Sequence, residues 1–265
     1  MVTRIYNIVP SKKILRYALL MLYAFLHNLL SYSQLPLLTD NTNTAEKGNS
    51  QIELSNGVGY HNQHRCYQTI SEISGVYTYG LFERADIVFG IPFINVSSVS
   101  DSILTKSSGF SDLSLEFKYR FLTCNKFSMA VKPGYSLPTG DKNEGLGAGK
   151  LSGSLFLVST LKVNSFSFNY NLGYLQNNNK CGDARNLWHL SASADYWAGP
   201  DLHLVLNTGF EKNPDIIEKI PPAFGLIGFY YFIKKDFEIG AGYKNGLTKT
   251  ETKHSFILSL TCRFP

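Results

Sequence analysis

The sequence of 265 residues predicts an all-β fold: a closed antiparallel transmembrane barrel of about twelve strands behind a cleaved signal peptide. Three observations predict it. The first residues read as an export signal, segments of about ten residues then alternate apolar with polar positions, and the links between segments are alternately short and long. Composition agrees, because charged residues make up only 17%, below the roughly 25% usual for soluble domains.

The first element is the signal. Arg4, Lys12, Lys13 and Arg16 precede an apolar run from Tyr17 to Leu30, and Ser31-Tyr32-Ser33 follows as small-x-small. His27 and Asn28 interrupt the run, which is shorter than the roughly 20 residues of a spanning helix. The expected organisation is therefore a signal peptide over 1–33, an N-terminal periplasmic segment over 34–49, and an outer-membrane barrel over 50–265. Removing four cations lowers the formal charge from +5 to +1, so the basic balance belongs to the signal and no nucleic-acid partner is indicated.

Twelve strands follow: Gln51–Tyr60, Gln68–Leu81, Ala85–Val96, Phe110–Leu122, Lys126–Leu137, Lys150–Lys162, Ser165–Leu175, Leu187–Ala198, Asp201–Phe210, Ala223–Ile233, Asp236–Lys244 and His254–Phe264. Each approaches the length of a tilted strand crossing a bilayer. Short turns fall at 82–84, 123–125, 163–164, 199–200 and 234–235. Longer links fall at 61–67, 97–109, 138–149, 176–186, 211–222 and 245–253. Outer-membrane barrels have short periplasmic turns and long outer loops, so an even strand count puts both ends on the periplasmic side.

Alternation alone does not distinguish a barrel from a soluble sandwich; the polar face does. Opposite Leu115, Phe117 and Tyr119 stand Ser114, Glu116, Lys118 and Arg120, and opposite Phe166, Phe168 and Tyr170 stand Ser167, Asn169 and Asn171. Ser, Asn and Gly with scattered charges suit a narrow interior better than an open surface, which would be richer in Lys and Glu. Aromatics gather at strand ends, as interfacial girdles require: Tyr60, Tyr119, Phe121, Tyr135, Phe166, Tyr174, Trp188, Tyr196, Trp197, Phe232 and Tyr243. The last strand alternates from Phe256 to Phe264 and resembles the closing signal read by the bacterial barrel-insertion machinery, although Pro265 follows the aromatic.

Four stretches together carry a family resemblance: Pro36-Leu-Leu-Thr-Asp40 with Lys47-Gly-Asn-Ser-Gln-Ile-Glu-Leu54; Gly109-Phe-Ser-Asp-Leu-Ser-Leu-Glu-Phe-Lys-Tyr-Arg120; Leu137-Pro-Thr-Gly-Asp141 leading to Gly145-Leu-Gly-Ala-Gly-Lys150; and Gly242-Tyr-Lys-Asn-Gly-Leu-Thr248. In this order they resemble the outer-membrane transporter-like family named for the MetA pathway of phenol degradation. The resemblance implies a barrel passing small aromatic or apolar solutes; the barrel and its closing strand make outer-membrane lipid and, during biogenesis, the insertion machinery the expected partners. Read physically, the motifs are structural. Pro138 cannot donate to a ladder and Gly140 frees a turn, so a strand ends there. Gly145, Gly147 and Gly149 make no phosphate loop, because no helix follows.

The chemistry is sparse. His61, His64 and Cys66 form an H-x-x-H-x-C cluster that lacks a fourth ligand, so no metal is assigned. Cys66 and Cys181 are the one cysteine pair at the same barrel end, and their separation around the wall favours isolated thiols. His189 and His203 lie on polar faces, where lumen hydrogen bonding is the simpler role. No G-x-S-x-G elbow or Ser–His pairing emerges, so no enzyme and no cofactor are expected. A passive channel for small solutes is the leading reading; a plugged structural barrel or adhesin and an outer-membrane lipid hydrolase are the alternatives. The candidate lumen-lining charges are Glu53, Glu72, Asp112, Glu116, Lys118, Arg120, Lys132, Asp195, Glu238 and Lys244. They would either set selectivity or pair across the lumen and occlude it.

Overall fold

Alternation in the sequence becomes alternation of exposure. The computed structural model describes residues 36–63, 66–100 and 103–265; the expected signal peptide and His64 lie outside the described residues, as does the side chain of Cys66. Along Phe166–Gln176, Ser167, Asn169 and Asn171 are buried while Phe166, Tyr170 and Leu172 are exposed. Side chains project with period two, so the sheet has one enclosed face and one outer face.

Among the described residues thirteen strands build that sheet: β1 (Ser50–Gln63), β2 (Cys66–Phe82), β3 (Ala85–Ser100), β4 (Ile103–Phe110), β5 (Leu113–Cys124), β6 (Phe127–Leu137), β7 (Ser152–Val163), β8 (Phe166–Gln176), β9 (Asn186–Trp197), β10 (Leu202–Glu211), β11 (Ala223–Lys234), β12 (Phe237–Gly246) and β13 (His254–Phe264). All pairings are antiparallel, and β1 runs against β13 from Ser50↔Phe264 to Tyr60↔His254, which closes the barrel. β4 and β5 lie end to end along β3, opposite Phe93–Ser100 and Ala85–Gly90 respectively, so the thirteen segments form the twelve expected staves.

The expected short turns are short. Asn125 and Asn164 adopt φ of 44° and 52°, left-handed values that Asn tolerates in tight hairpins. The links 138–149, 176–186, 211–222 and 245–253 are largely irregular, but 61–67 and 97–109 are not the expected loops. There β1 and β2 pair out to Gln63↔Cys66, and β3 and β4 out to Ser100↔Ile103. Most β4 side chains are exposed, with none buried. The polar residues Ser97, Ser98, Lys106, Ser107 and Ser108 give no apolar alternation, which is why the pattern missed these strands, although Ile94, Val96 and Ser98 of β3 are buried on the inner face.

The outer wall is an apolar belt: Leu206, Ile227 and Leu258 are each about 60% exposed, at 59%, 59% and 64%. Water would penalise such a surface, and lipid would cover it. Of the expected girdle, Tyr60, Tyr135, Tyr174 and Trp188 are exposed toward one end, and Tyr119, Phe121, Phe166, Tyr196 and Trp197 toward the other. Phe232 departs from it and packs inward against His203, with their ring centroids 5.6 Å apart. It stands in phase with the inward Phe224, Leu226 and Tyr230, so strand parity places it inside, and the bulge between Phe232 and Lys234 comes only after it.

Candidate functional site

Inside a closed barrel the enclosed face is the lumen, and a polar lumen needs partners for every group it buries. The partners come largely from a segment expected elsewhere. Of residues 34–49, expected as a periplasmic segment, 36–42 run inside the barrel, where Leu37, Leu38, Thr39, Asp40, Asn41 and Thr42 are all buried, while Asn43 and residues 46–48 are exposed toward the short-turn end. The reason is a matched set of hydrogen bonds. Asn207 Oδ1 on β10 accepts from the N–H groups of Leu38 and Thr39 at 2.6 and 3.1 Å, and Thr160 Oγ1 on β7 accepts from Thr42 N at 3.0 Å. The Asn171 amide on β8, oriented to satisfy both groups, accepts from Asp40 N at 2.7 Å and donates to Asp40 O at 3.0 Å. An irregular backbone can cross a membrane-embedded interior only if its polar groups are met in this way.

Asp40 is the electrostatic centre of the segment. Its Oδ1 accepts from Lys118 Nζ at 2.8 Å, its Oδ2 lies 3.0 Å from Lys132 Nζ, and Lys132 is 3.4 Å from Glu116 Oε2. Two cations therefore meet two anions, all of them buried. At its near end Pro36 rests on Gly242, where an added Cβ would stand 3.0 Å from the proline ring. At its far end, Ala45 N faces both Asp86 oxygens at 3.2 Å. Glu46 and Gly48 then turn the chain with positive φ into β1. A cavity of about 650 Å³ opens between this segment and the short-turn end of the wall, bordered by Asp40, Glu53, Asp86, Lys118, Lys132 and Arg263 among others.

Eight of the ten expected lumen charges are buried inside: Glu53, Glu72, Glu116, Lys118, Lys132, Asp195, Glu238 and Lys244. Most are paired. Lys244 meets Glu251 at 2.9 Å, Glu238 meets Arg263 at 2.8 Å, and Asp195 takes His203 Nδ1 at 2.9 Å together with the Tyr230 hydroxyl. The remaining two sit at the rims. Arg120 reaches the Glu83 carbonyl at 3.3 Å beside a short turn. Asp112 lies in the gap between β4 and β5 and clamps a loop, accepting from Gly140 N at 2.9 Å and Ala148 N at 2.8 Å. That clamp explains the glycine-rich motif, since a Cβ on Gly147 would come within 2.3 Å of Asp112 Oδ1. It also turns Leu146 into the mouth, where it is buried against Ile70, Ile94 and Val96.

Sequence reasoning missed Asp40, Thr160, Asn207 and Glu251. Asp40 lay in plain view within Pro36-Leu-Leu-Thr-Asp40, but a short polar segment carries no period to mark it as buried. The lumen is also less polar than expected, because Phe156, Val158, Leu175 and Leu187 line one side and Phe224, Leu226 and Ile257 another. His189 and His203 hydrogen-bond to carboxylates, at 3.3 Å to Glu211 and 2.9 Å to Asp195. Cys181 is a free, exposed thiol, as are Cys124 and the half-buried Cys262 in being unbridged. Among the described residues no three potential metal ligands converge. In the outer loops, the Lys249 ammonium 2.9 Å away and the Ile220 N–H hold the exposed Glu218 carboxyl below its ordinary range.

Solved structures share this architecture. The COG4313 outer membrane channel from Pseudomonas putida F1 aligns with a TM-score of 0.67 at 15% identity, over 82% of this chain and 96% of that one. The NanC porin aligns at 0.52 and 11%, over 79% and 98%, and the translocator domain of the autotransporter NalP from Neisseria meningitidis at 0.54 and 10%, over 97% and 100%. At such identities the likeness is one of fold, that of a bacterial outer-membrane barrel. No curated protein sequence matches the chain. The family model described as "Putative MetA-pathway of phenol degradation" matches residues 42–264, from the lumen segment to the last residue of β13, and the chain belongs to that family.

Proposed function

We propose that this chain is a passive channel of a bacterial outer membrane, through which small aromatic or apolar solutes cross without catalysis or energy coupling, and that its own residues 36–42 hold it narrow. The observation that carries this reading is the lumen itself. A structural barrel of this size could fill its interior with side chains alone, whereas here the middle is occupied by the chain's own N-terminal segment, held by hydrogen bonds and ion pairs, beside a cavity of about 650 Å³. The mixed lining supports the solute class: among the charges that border the cavity stand Val88, Phe232 and Phe264, apolar side chains that would accept the body of an aromatic solute. The inward charges would bias ion selectivity only weakly, since both signs are present and most are paired.

A second reading is favoured by the same segment. If residues 36–42 never leave the lumen, the barrel is plugged and structural. Reconstituted protein separates the two. The channel reading expects conductance in planar bilayers, and solute uptake into liposomes above that of empty liposomes. Absence of both, in wild type and in a variant whose segment has been loosened, would establish the plugged barrel. Release of fatty acid from the host phospholipid would instead point to a hydrolase.

A further inference from the structure

A lumen that buries polar groups satisfies nearly all of them, so those left over mark places built for something else. One cluster stands out above the N-terminal segment, toward the long loops. His189, Ser191 and Glu211 are at least nine-tenths buried, and His189 Nε2, Ser191 Oγ and Glu211 Oε1 have no hydrogen-bond partner among the described residues.

The sheet register shows how the cluster is made. One row across the wall reads Lys132, Phe156, Gly173, His189, Glu211, and the next reads Asn171, Ser191, Gly209, Phe224. In each row a glycine separates an aromatic ring from a polar side chain. A Cβ on Gly173 would come within 2.3 Å of the Phe156 ring, and one on Gly209 within 2.7 Å of the Phe224 ring. The rings thus lie over the glycines, and Phe156 meets His189 edge-on at 5.7 Å. Below, Asn171 and Asn207 hold the N-terminal segment, so the cluster sits directly above it.

The donor and acceptor inventory sets what fits. His189 Nδ1 faces Glu211 Oε2 at 3.3 Å, which leaves Glu211 Oε1, the ring's Nε2 and the Ser191 hydroxyl without partners. The open groups are then a carboxyl oxygen, a ring nitrogen and a hydroxyl, flanked along the sheet by Phe156 and Phe224.

We infer that His189, Ser191 and Glu211 form a solute-binding station in the lumen for small molecules that pair an apolar ring with a hydrogen-bond-donating hydroxyl. The inference rests on the channel reading and adds the determinant of selectivity. Phe156 and Phe224 take the ring, and Glu211 Oε1 accepts from the hydroxyl. A solute of the same shape without a donor leaves that acceptor unmet, which is the strongest kind of discrimination a site can offer.

The test uses the full protein in lipid nanodiscs, with fluorine NMR of para-fluorobenzyl alcohol and of its methyl ether, and empty nanodiscs subtracted to remove partitioning into lipid. The alcohol should bind about tenfold more tightly than the ether, as expected for one added hydrogen bond. His189→Phe with Glu211→Leu, which replaces both partners by apolar groups and so spares the fold, should abolish that preference while leaving ether binding in place. Heat-modifiable migration checks folding, and Ser191→Ala serves if the double variant does not fold: it should narrow the preference. Equal binding of alcohol and ether by the wild type, no protein-dependent binding of either, or a preference that survives the double variant, would each overturn the station. Conductance measured on the same preparation keeps the readings apart. A conducting protein without the preference loses only the station, and a non-conducting one with it loses only the channel.

Discussion

Replacing Asp40 by Asn should release the N-terminal segment from the lumen while leaving the barrel intact. In the wild type, Lys118 and Lys132 are balanced by Asp40 and Glu116, with Asp40 2.8 and 3.0 Å from the two ammonium groups. Asp40→Asn leaves two buried cations facing one carboxylate, and breaking a buried pair in this way costs about 3–5 kcal/mol. The segment keeps its hydrogen bonds to Asn171, Asn207 and Thr160, each contributing about 1 kcal/mol, so the loss is comparable to what remains. A loss of about 3 kcal/mol raises the undocked population roughly a hundredfold. Hydrogen-exchange mass spectrometry should therefore show faster exchange across residues 37–45 and unchanged protection in β5–β13. Adding Lys132→Met to Asp40→Asn restores the balance of one cation and one anion and should slow exchange again. Unchanged exchange in Asp40→Asn would refute the electrostatic account of docking, and equally fast exchange in both variants would refute the charge balance.

Other perturbations probe other links. Gly242→Leu places a side chain where Pro36 rests and should displace the segment without weakening the barrel, seen as raised conductance with normal heat-modifiable migration; Gly228 suits less well, since a Cβ there also strikes the Ala241 carbonyl at 2.6 Å. Leu258→Arg puts a charge on the outer wall and should cost about 2–4 kcal/mol near the midplane, measured by urea unfolding in lipid; a neutral result would mean that lipid does not cover that face. Asp112→Ala removes two bonds from the loop between β6 and β7 and should free Leu146 from the mouth. Proteolytic nicking within 140–149 should then appear, and a resistant loop would show that the clamp is not what holds it.

The fold was legible because a membrane barrel repeats one constraint on every strand: one side apolar for lipid, the other side enclosed. Leu115, Phe117 and Leu258 could be assigned to the outside by parity alone, and Glu116, Lys118 and Lys132 to the inside. Where that constraint lapses, so does legibility. The ends of the β1–β2 and β3–β4 hairpins are rich in polar residues, so no apolar alternation marks them, and Phe232, in phase with the inward Phe224, Leu226 and Tyr230, reads as a girdle residue only by its aromatic character. The site was half legible. Inward charges follow from parity, but their partners do not, because Asp40 reaches Lys118 across 78 residues through an aperiodic segment. Nor does parity give register, and only register places His189 beside Glu211 and Gly173.

The central claim is that a conducting lumen is held narrow by the chain's own N-terminal segment, and single-channel recording in planar bilayers tests it most directly. Wild-type protein should show small openings, and Asp40→Asn should show larger or longer ones, with Asp40→Asn/Lys132→Met returning toward the wild type. Silent bilayers for all three proteins, each verified as folded and inserted, would contradict the account.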